Sequence, residues 1–240
     1  MIYLSDGKLR QFLPSRRVPR TGALKLATPF GGIDIDAPVA DGEQDRLRRL
    51  DQVDRHLNRT ARWYAEPDLR PGQWVQFEAP LRCVTLNGAY RNLVLFSDPA
   101  PGEVPAHETD CRLLLHGSAH HLLGLSPVPV EGPVLEAIGG GDSSSGTTFL
   151  THAGRAVEAL SATPPPAPDP SDPEDPADPP TPHAGVRSLL AALDHAPELA
   201  GTATWMRGLA RVTIPLETNA TAPRCLVASP LTVEAAHDLP

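Results

Sequence analysis

Trp74-Val75-Gln76-Phe77-Glu78-Ala79-Pro80-Leu81-Arg82-Cys83-Val84-Thr85-Leu86-Asn87-Gly88 is the stretch on which the fold turns. Val75, Phe77 and Ala79 alternate with polar residues and predict a strand over 74–79 with one face inward. A second run over 81–86 follows the proline. Asn87-Gly88 offers two residues that tolerate the positive φ of a tight hairpin, and Asn92 to Phe96 returns as the partner strand. Short connections between consecutive strands imply antiparallel pairing.

Working outward, Cys111 to Leu115, Thr202 to Ile214 and Arg224 to Ala235 read as further strands, the last interrupted at Pro230, which implies an edge or a bulge there. Asp41 can cap a helix from Gly42 to Ala65, with Gln44 as reciprocal partner and Leu47, Leu50, Val53, Leu57, Ala61 and Tyr64 on one apolar face. Thr147 to Leu160 reads as a second helix and Val186 to Leu193 as a short third. These elements predict an α+β fold, a mostly antiparallel sheet covered by the two main helices. From Pro164 to Pro182, repeated proline and aspartate forbid helix and offer nothing to bury, so a disordered spacer is expected. The expected organisation is one domain, its main part over 1–163, the spacer over 164–182 and a completing segment over 183–240.

The chain has 240 residues and a formal net charge of -8. Residues 1–92 carry 15 cations against 11 anions, and residues 93–240 carry 6 against 18. An acidic whole makes nucleic acid an unlikely partner, while a basic sub-surface in the first half is allowed. Only Lys8 and Lys25 are lysines; the other cations are arginine. The start lacks the order of a signal peptide, no run reaches the roughly 20 apolar residues of a membrane span, and Cys83, Cys111 and Cys225 are odd in number and far apart. A cytoplasmic protein with reduced, buried thiols is expected.

Four clusters carry possible chemistry. His116, His120 and His121 could ligate a metal if the strand turns into a helix near Ser118, completed by Asp110, Asp98 or His107, which would make a metal-dependent hydrolase. The HxxxHH spacing matches no specific metal motif, and structural roles for the three are the other reading. Ser118 lacks the second glycine of a nucleophile elbow. The turn from Gly139 to Thr148 could present amides of Ser143, Ser145, Gly146 and Thr147 to a phosphate. It has threonine where a P-loop has lysine, so hydrolysis is not implied and no cofactor is called for. On the long helix Arg48, Arg55, Arg59 and Arg62 form a stripe opposite the apolar face, suited to an acidic protein partner or simply solvated; Asp51 stands four residues before Arg55.

Ile2 to Phe12, Ala27 to Gly32, Arg70 to Val75, the Leu115-His116-Gly117-Ser118-Ala119-His120-His121-Leu122-Leu123-Gly124 run and Val227 to Val233 resemble an uncharacterised actinobacterial protein family. The chain is also distantly similar to domains of unknown function linked to bacterial conflict systems, in which small α+β modules act as sensors or adaptors. The resemblance implies a folding or pocket-lining role for Gly117 and Ser118. The expected function is a non-catalytic binding module that recognises a small phosphorylated ligand or a protein partner.

Overall fold

The computed structural model describes residues 1–12, 42–86, 91–104, 110–130, 182–218 and 223–236. The chain divides into two compact units, Asp6–Thr60 and, separately, Met1–Ser5 with everything from Ala61 onward. The first holds helices α1 (Asp6–Gln11) and α2 (Gly42–Thr60), joined by an ion pair from Arg46 Nε to Asp6 Oδ1 at 2.7 Å. The second holds strands β1 (Tyr3–Leu4), β2 (Arg62–Trp63), β3 (Trp74–Leu86), β4 (Leu93–Ser97), β5 (Cys111–Ser118), β6 (Val128–Val130), β7 (Thr204–Leu216) and β8 (Arg224–Ala235), with helix α3 (Pro182–His195) between β6 and β7.

The expected helix-covered sheet is not what forms. Among the described residues strand is the commonest element, 43%, and five strands close into a barrel, with three short outer strands and three helices. Closure depends on β3. It runs unbroken through Pro80 for 13 residues, pairs antiparallel with β7 over Trp74–Leu81 and with β4 over Arg82–Thr85. Pro80, which has no N–H to give, sits close to the changeover. The ring is completed by β4 against β5, β5 parallel to β8, and β8 antiparallel to β7. In chain order the barrel strands run first-second-third-fifth-fourth and back to the first, the Greek-key connectivity of an OB-type barrel. Two-fold alternation shows that a segment is a strand; it does not show that the sheet's two edges will meet. The expected Gly42–Ala65 helix ends at Thr60, and its last residues instead form β2, parallel to β3. The Thr147–Leu160 helix and the 164–182 spacer lie outside the described residues.

Both register irregularities fall on the β7–β8 pair. Leu209 faces Thr232 but Ala210 faces Pro230, so Leu231 is the extra residue of a bulge at the proline the sequence marked. Val212 faces Ala228 and Ile214 faces Val227, which makes Thr213 extra on β7.

The barrel interior takes alternate residues from all five strands, among them Val75, Phe77, Phe96, Leu113, Leu115, Met206, Leu226 and Ala228. On β7 the intervening Arg207 and Arg211 are exposed, which fixes that parity as inward. Two glycines permit close approach. A β-carbon on Gly117 would strike the Tyr3 ring, and one on Gly208 would strike the Thr232 carbonyl oxygen.

A second core lies on the opposite face of the strands. Val186, Leu189, Leu190 and Leu193, at helical spacing on α3, pack with Leu93, Leu95, Leu114 and Val227. Each such side chain contributes about 1.5–3 kcal/mol when fully buried. The outer side of β4 and β5, the side on which OB-type barrels commonly take their ligands, is therefore covered. Beneath the helix Arg82 is 2% exposed and pairs with Glu103, and its Nη1 lies 3.6 Å from Asp194.

Candidate functional site

Helix α2 presents its arginines as the sequence suggested, with one exception and one addition. Val53 and Leu57 are buried, whereas Arg48, Arg49, Gln52, Arg55, His56 and Arg59 are exposed. At 3.6 residues per turn these six fall within an arc of about 120°, and from Arg48 to the end of the helix no carboxylate lies in it; Asp45, a turn earlier, falls on the same side. Asp51 and Asp54 sit on the flank, where Asp51 pairs with Arg55 and Asp54 accepts from Asn58 Nδ2 at 2.8 Å. Among the described residues no ion pair or hydrogen bond engages the guanidinium of Arg49 or Arg59. Arg62 is the exception: it lies beyond the helix end, on β2. There its Nε donates to Glu66 Oε2 at 2.6 Å and its Nη2 to the Pro67 carbonyl at 3.0 Å. Arg49 and His56 are the addition, missed because a stripe read along one line omits the residues beside it.

The three histidines do not converge. His116, fully buried, shares a 2.9 Å hydrogen bond between Nε2 and the hydroxyl of Thr213, the extra residue of the β7 bulge. His121 stacks edge-on against Tyr3, centroids 5.7 Å apart, and His120 is exposed. Ser118 accepts from the His120 amide at 3.4 Å and caps the 3-10 turn Ala119–His121, while Gly117 gives the Tyr3 ring its space. Asp98 is likewise occupied, Oδ2 accepting from the Leu113 amide at 2.8 Å, and Asp110 is exposed. Among the described residues no group of three His, Cys, Asp or Glu could hold a metal ion. His107 and the Ser143–Thr147 turn lie outside the described residues.

The cysteines are poor nucleophiles. Burial pushes the Cys83 and Cys225 thiols up to about 12 and raises Cys111 as well. A thiol held protonated neither attacks nor ligates.

A second feature was not legible in the sequence. The feet of β5, β7 and β8 and the turn after β2 line a small pocket of about 10 Å3, room for about one water molecule, whose lining includes Tyr64, Asp68, Leu69, Glu217, Arg224 and Leu226. Arginines fasten the segments that meet there. Arg224 donates to the carbonyls of Ala65 and Glu66, and Arg187 on α3 to those of Glu217 and Pro223, the two ends of the β7–β8 connection. Glu66 accepts from the Trp63 amide at 2.8 Å and from Arg62, and these two donors hold its carboxyl below the usual range. Asp68 is the one non-glycine described residue with positive φ, 60°. Four separated segments supply the lining, and no local motif joins them.

No described helix is long and apolar enough to cross a membrane. No curated protein and no solved structure matches the sequence. A family model matches residues 1–237, nearly the whole chain, and the protein belongs to the family of unknown function DUF7019.

Proposed function

We propose that this protein is a non-catalytic binding module whose α2 face recognises an acidic segment of a partner protein. The observation that carries this reading is the cationic arc of Arg48, Arg49, Gln52, Arg55, His56 and Arg59, which holds no carboxylate from Arg48 onward and is exposed on a chain whose net charge is -8. A guanidinium presents a planar fork that matches a carboxylate in two parallel bonds, so four on one face favour short, directional pairing with aspartates and glutamates. A polyanion as dense as duplex DNA would meet long-range repulsion from the rest of the chain and from Asp51 and Asp54 on the flank. Structural uses found for His116, His121, Asp98 and the thiols support binding over catalysis. An adaptor or sensor role of the kind the conflict-system resemblance implies, in the cytoplasm, agrees with this reading. A small phosphorylated ligand at Ser143–Thr147 is a further proposal that the described residues do not address.

The test uses a fluorescent twelve-residue peptide of alternating glutamate and serine, and a duplex of the same net charge. The peptide should bind the full chain in a saturable, salt-sensitive manner, and R55E/R59E should weaken it about tenfold, with the thermal midpoint unmoved. Tighter binding to the duplex than to the peptide, or binding unaltered by the double charge reversal, would overturn the reading.

A further inference from the structure

We propose, resting on the reading of the α2 face given above, that the arginine arc of the free protein holds the chain's own Asp169–Pro180 segment, which an acidic partner must displace. Residues 169–180 read Asp-Pro-Ser, Asp-Pro-Glu, Asp-Pro-Ala and Asp-Pro-Pro, an Asp-Pro-x unit four times over, with Glu174 as a further acid and no cation. This stretch lies outside the described residues. Its order in the sequence is what bears on the arc.

Proline fixes φ near about -65°, close to that of a polyproline II helix, which takes three residues per turn and rises about 3.1 Å for each. Bound in that form, Asp169, Asp172, Asp175 and Asp178 fall on one edge as a ladder of carboxylates about 9 Å apart. On α2 the step from Arg48 to Arg55 is about 10 Å along the axis, and that from Arg48 to Arg59 about 16 Å. One and two units of the repeat measure about 9 and 19 Å, a difference that long arginine side chains absorb. Regular proline also reduces the entropy lost when the segment is seated.

Points of attachment bring the two together. The repeat ends just ahead of Pro182, the first residue of α3, so at most about 14 Å of chain separates Asp178 from that helix. One turn into α3, Arg187 donates to the carbonyls of Glu217 and Pro223. Arg224, the next residue along from Pro223, donates to those of Ala65 and Glu66, shortly after α2 ends at Thr60. Glu66, Glu217 and Arg224 line one small pocket, so the repeat and α2 both leave the strand unit from the same corner. That shared origin sets Asp178 toward Arg59 and Asp172 toward Arg48. A short tether holds a ligand at an effective concentration of about millimolar, enough to fill a weak site.

The experiment compares three full-length chains: the parent, a variant combining Asp169→Asn, Asp172→Asn, Asp175→Asn and Asp178→Asn, and one with residues 169–180 reordered to the same composition without the three-residue period. Amide chemical shifts of Arg55, His56 and Arg59 should differ between the parent and either variant. The fluorescent glutamate-serine peptide should bind both variants about tenfold more tightly than the parent, because the internal competitor is gone. The reordered chain keeps the parent's net charge, so its gain reports the ladder and not the relief of long-range repulsion. Equal peptide affinity in all three chains, with the α2 amides unmoved, would overturn the inference and leave the α2 face standing as a binding surface. Peptide binding to none of them would overturn both. A gain confined to the asparagine variant would overturn the ladder, and parent shifts that grow with protein concentration would put a second copy's repeat on the arc and overturn the tethered arrangement.

Discussion

Arg112 on β5 grips both carboxylate oxygens of Asp194 on α3, Nη1 to Oδ2 and Nη2 to Oδ1, each at 2.8 Å. The same guanidinium reaches the Asp98 carbonyl at 2.8 Å, so one side chain ties barrel, loop and helix together. Only 12% and 15% of the two side chains is exposed. Arg112→Lys keeps the charge and loses the fork. It should lower stability by about 1–3 kcal/mol in urea unfolding, the worth of the lost charged hydrogen bond and less than a buried pair broken outright. Replacing both partners together, Arg112→Met with Asp194→Leu, should recover most of that loss, because no charge is then left buried alone.

Gly117 and Gly208 test close packing inside the barrel. Gly117→Ala sets a methyl against the Tyr3 ring and should cost about 1–3 kcal/mol, less in a Tyr3→Ala background where that ring is gone. Gly208→Ala meets the Thr232 carbonyl oxygen, which is main chain and cannot rotate away. It should be the more damaging of the two by thermal unfolding.

Acid should weaken the pairing beneath α3. The Arg82 guanidinium holds the Glu103 carboxyl below its usual range. A depressed folded value means that the stabilisation is complete above the unfolded value and is lost as pH falls through the folded one. Between neutral pH and the acid limb, the thermal midpoint of Glu103→Gln should therefore start lower than that of the parent chain and decline less steeply. A parallel decline in the two proteins would show that this pair contributes nothing to acid sensitivity.

The thiols offer a simple count. Cys83, Cys111 and Cys225 are all buried and raised by desolvation, so a maleimide at neutral pH should label none in the folded chain. All three cysteines should react in guanidinium. Rapid labelling of any one in the native state would contradict the packing described for it.

Strands were the most legible part of this sequence. The run from Arg224 to Ala235 has the boundaries its residues imply, and Pro230 marks the bulge at Leu231. Closure was hidden, because Pro80 looks like a break between two strands when it is a step within one. Its lost donor is tolerated where β3 changes partners. The histidine run, the densest cluster of possible chemistry, turned out to be dispersed, since a strand sends His116 into the protein while the turn after it points elsewhere. The arginine bias was legible as composition but not as purpose. Arg112, Arg187 and Arg224 each donate to two main-chain carbonyls, fastening connections that a lysine, with no planar fork, could hold only singly. Such long-range pairings leave no spacing to find.

The pairing of β5 with β8 also sets an order of events during synthesis. When Ser118 leaves the ribosome, β3, β4 and β5 are complete, yet one edge of β3 and one of β5 still lack the partners that β7 and β8 will bring. More than a hundred residues separate Leu113 from Leu226, its partner across the seam, so closure waits for a distant loop to form. Until then the nascent sheet carries two bare edges, the condition most open to wrong pairing with another chain. The seam that closes the finished barrel is thus also its period of greatest exposure, and β8, the last of the five barrel strands along the chain, is the one that ends it.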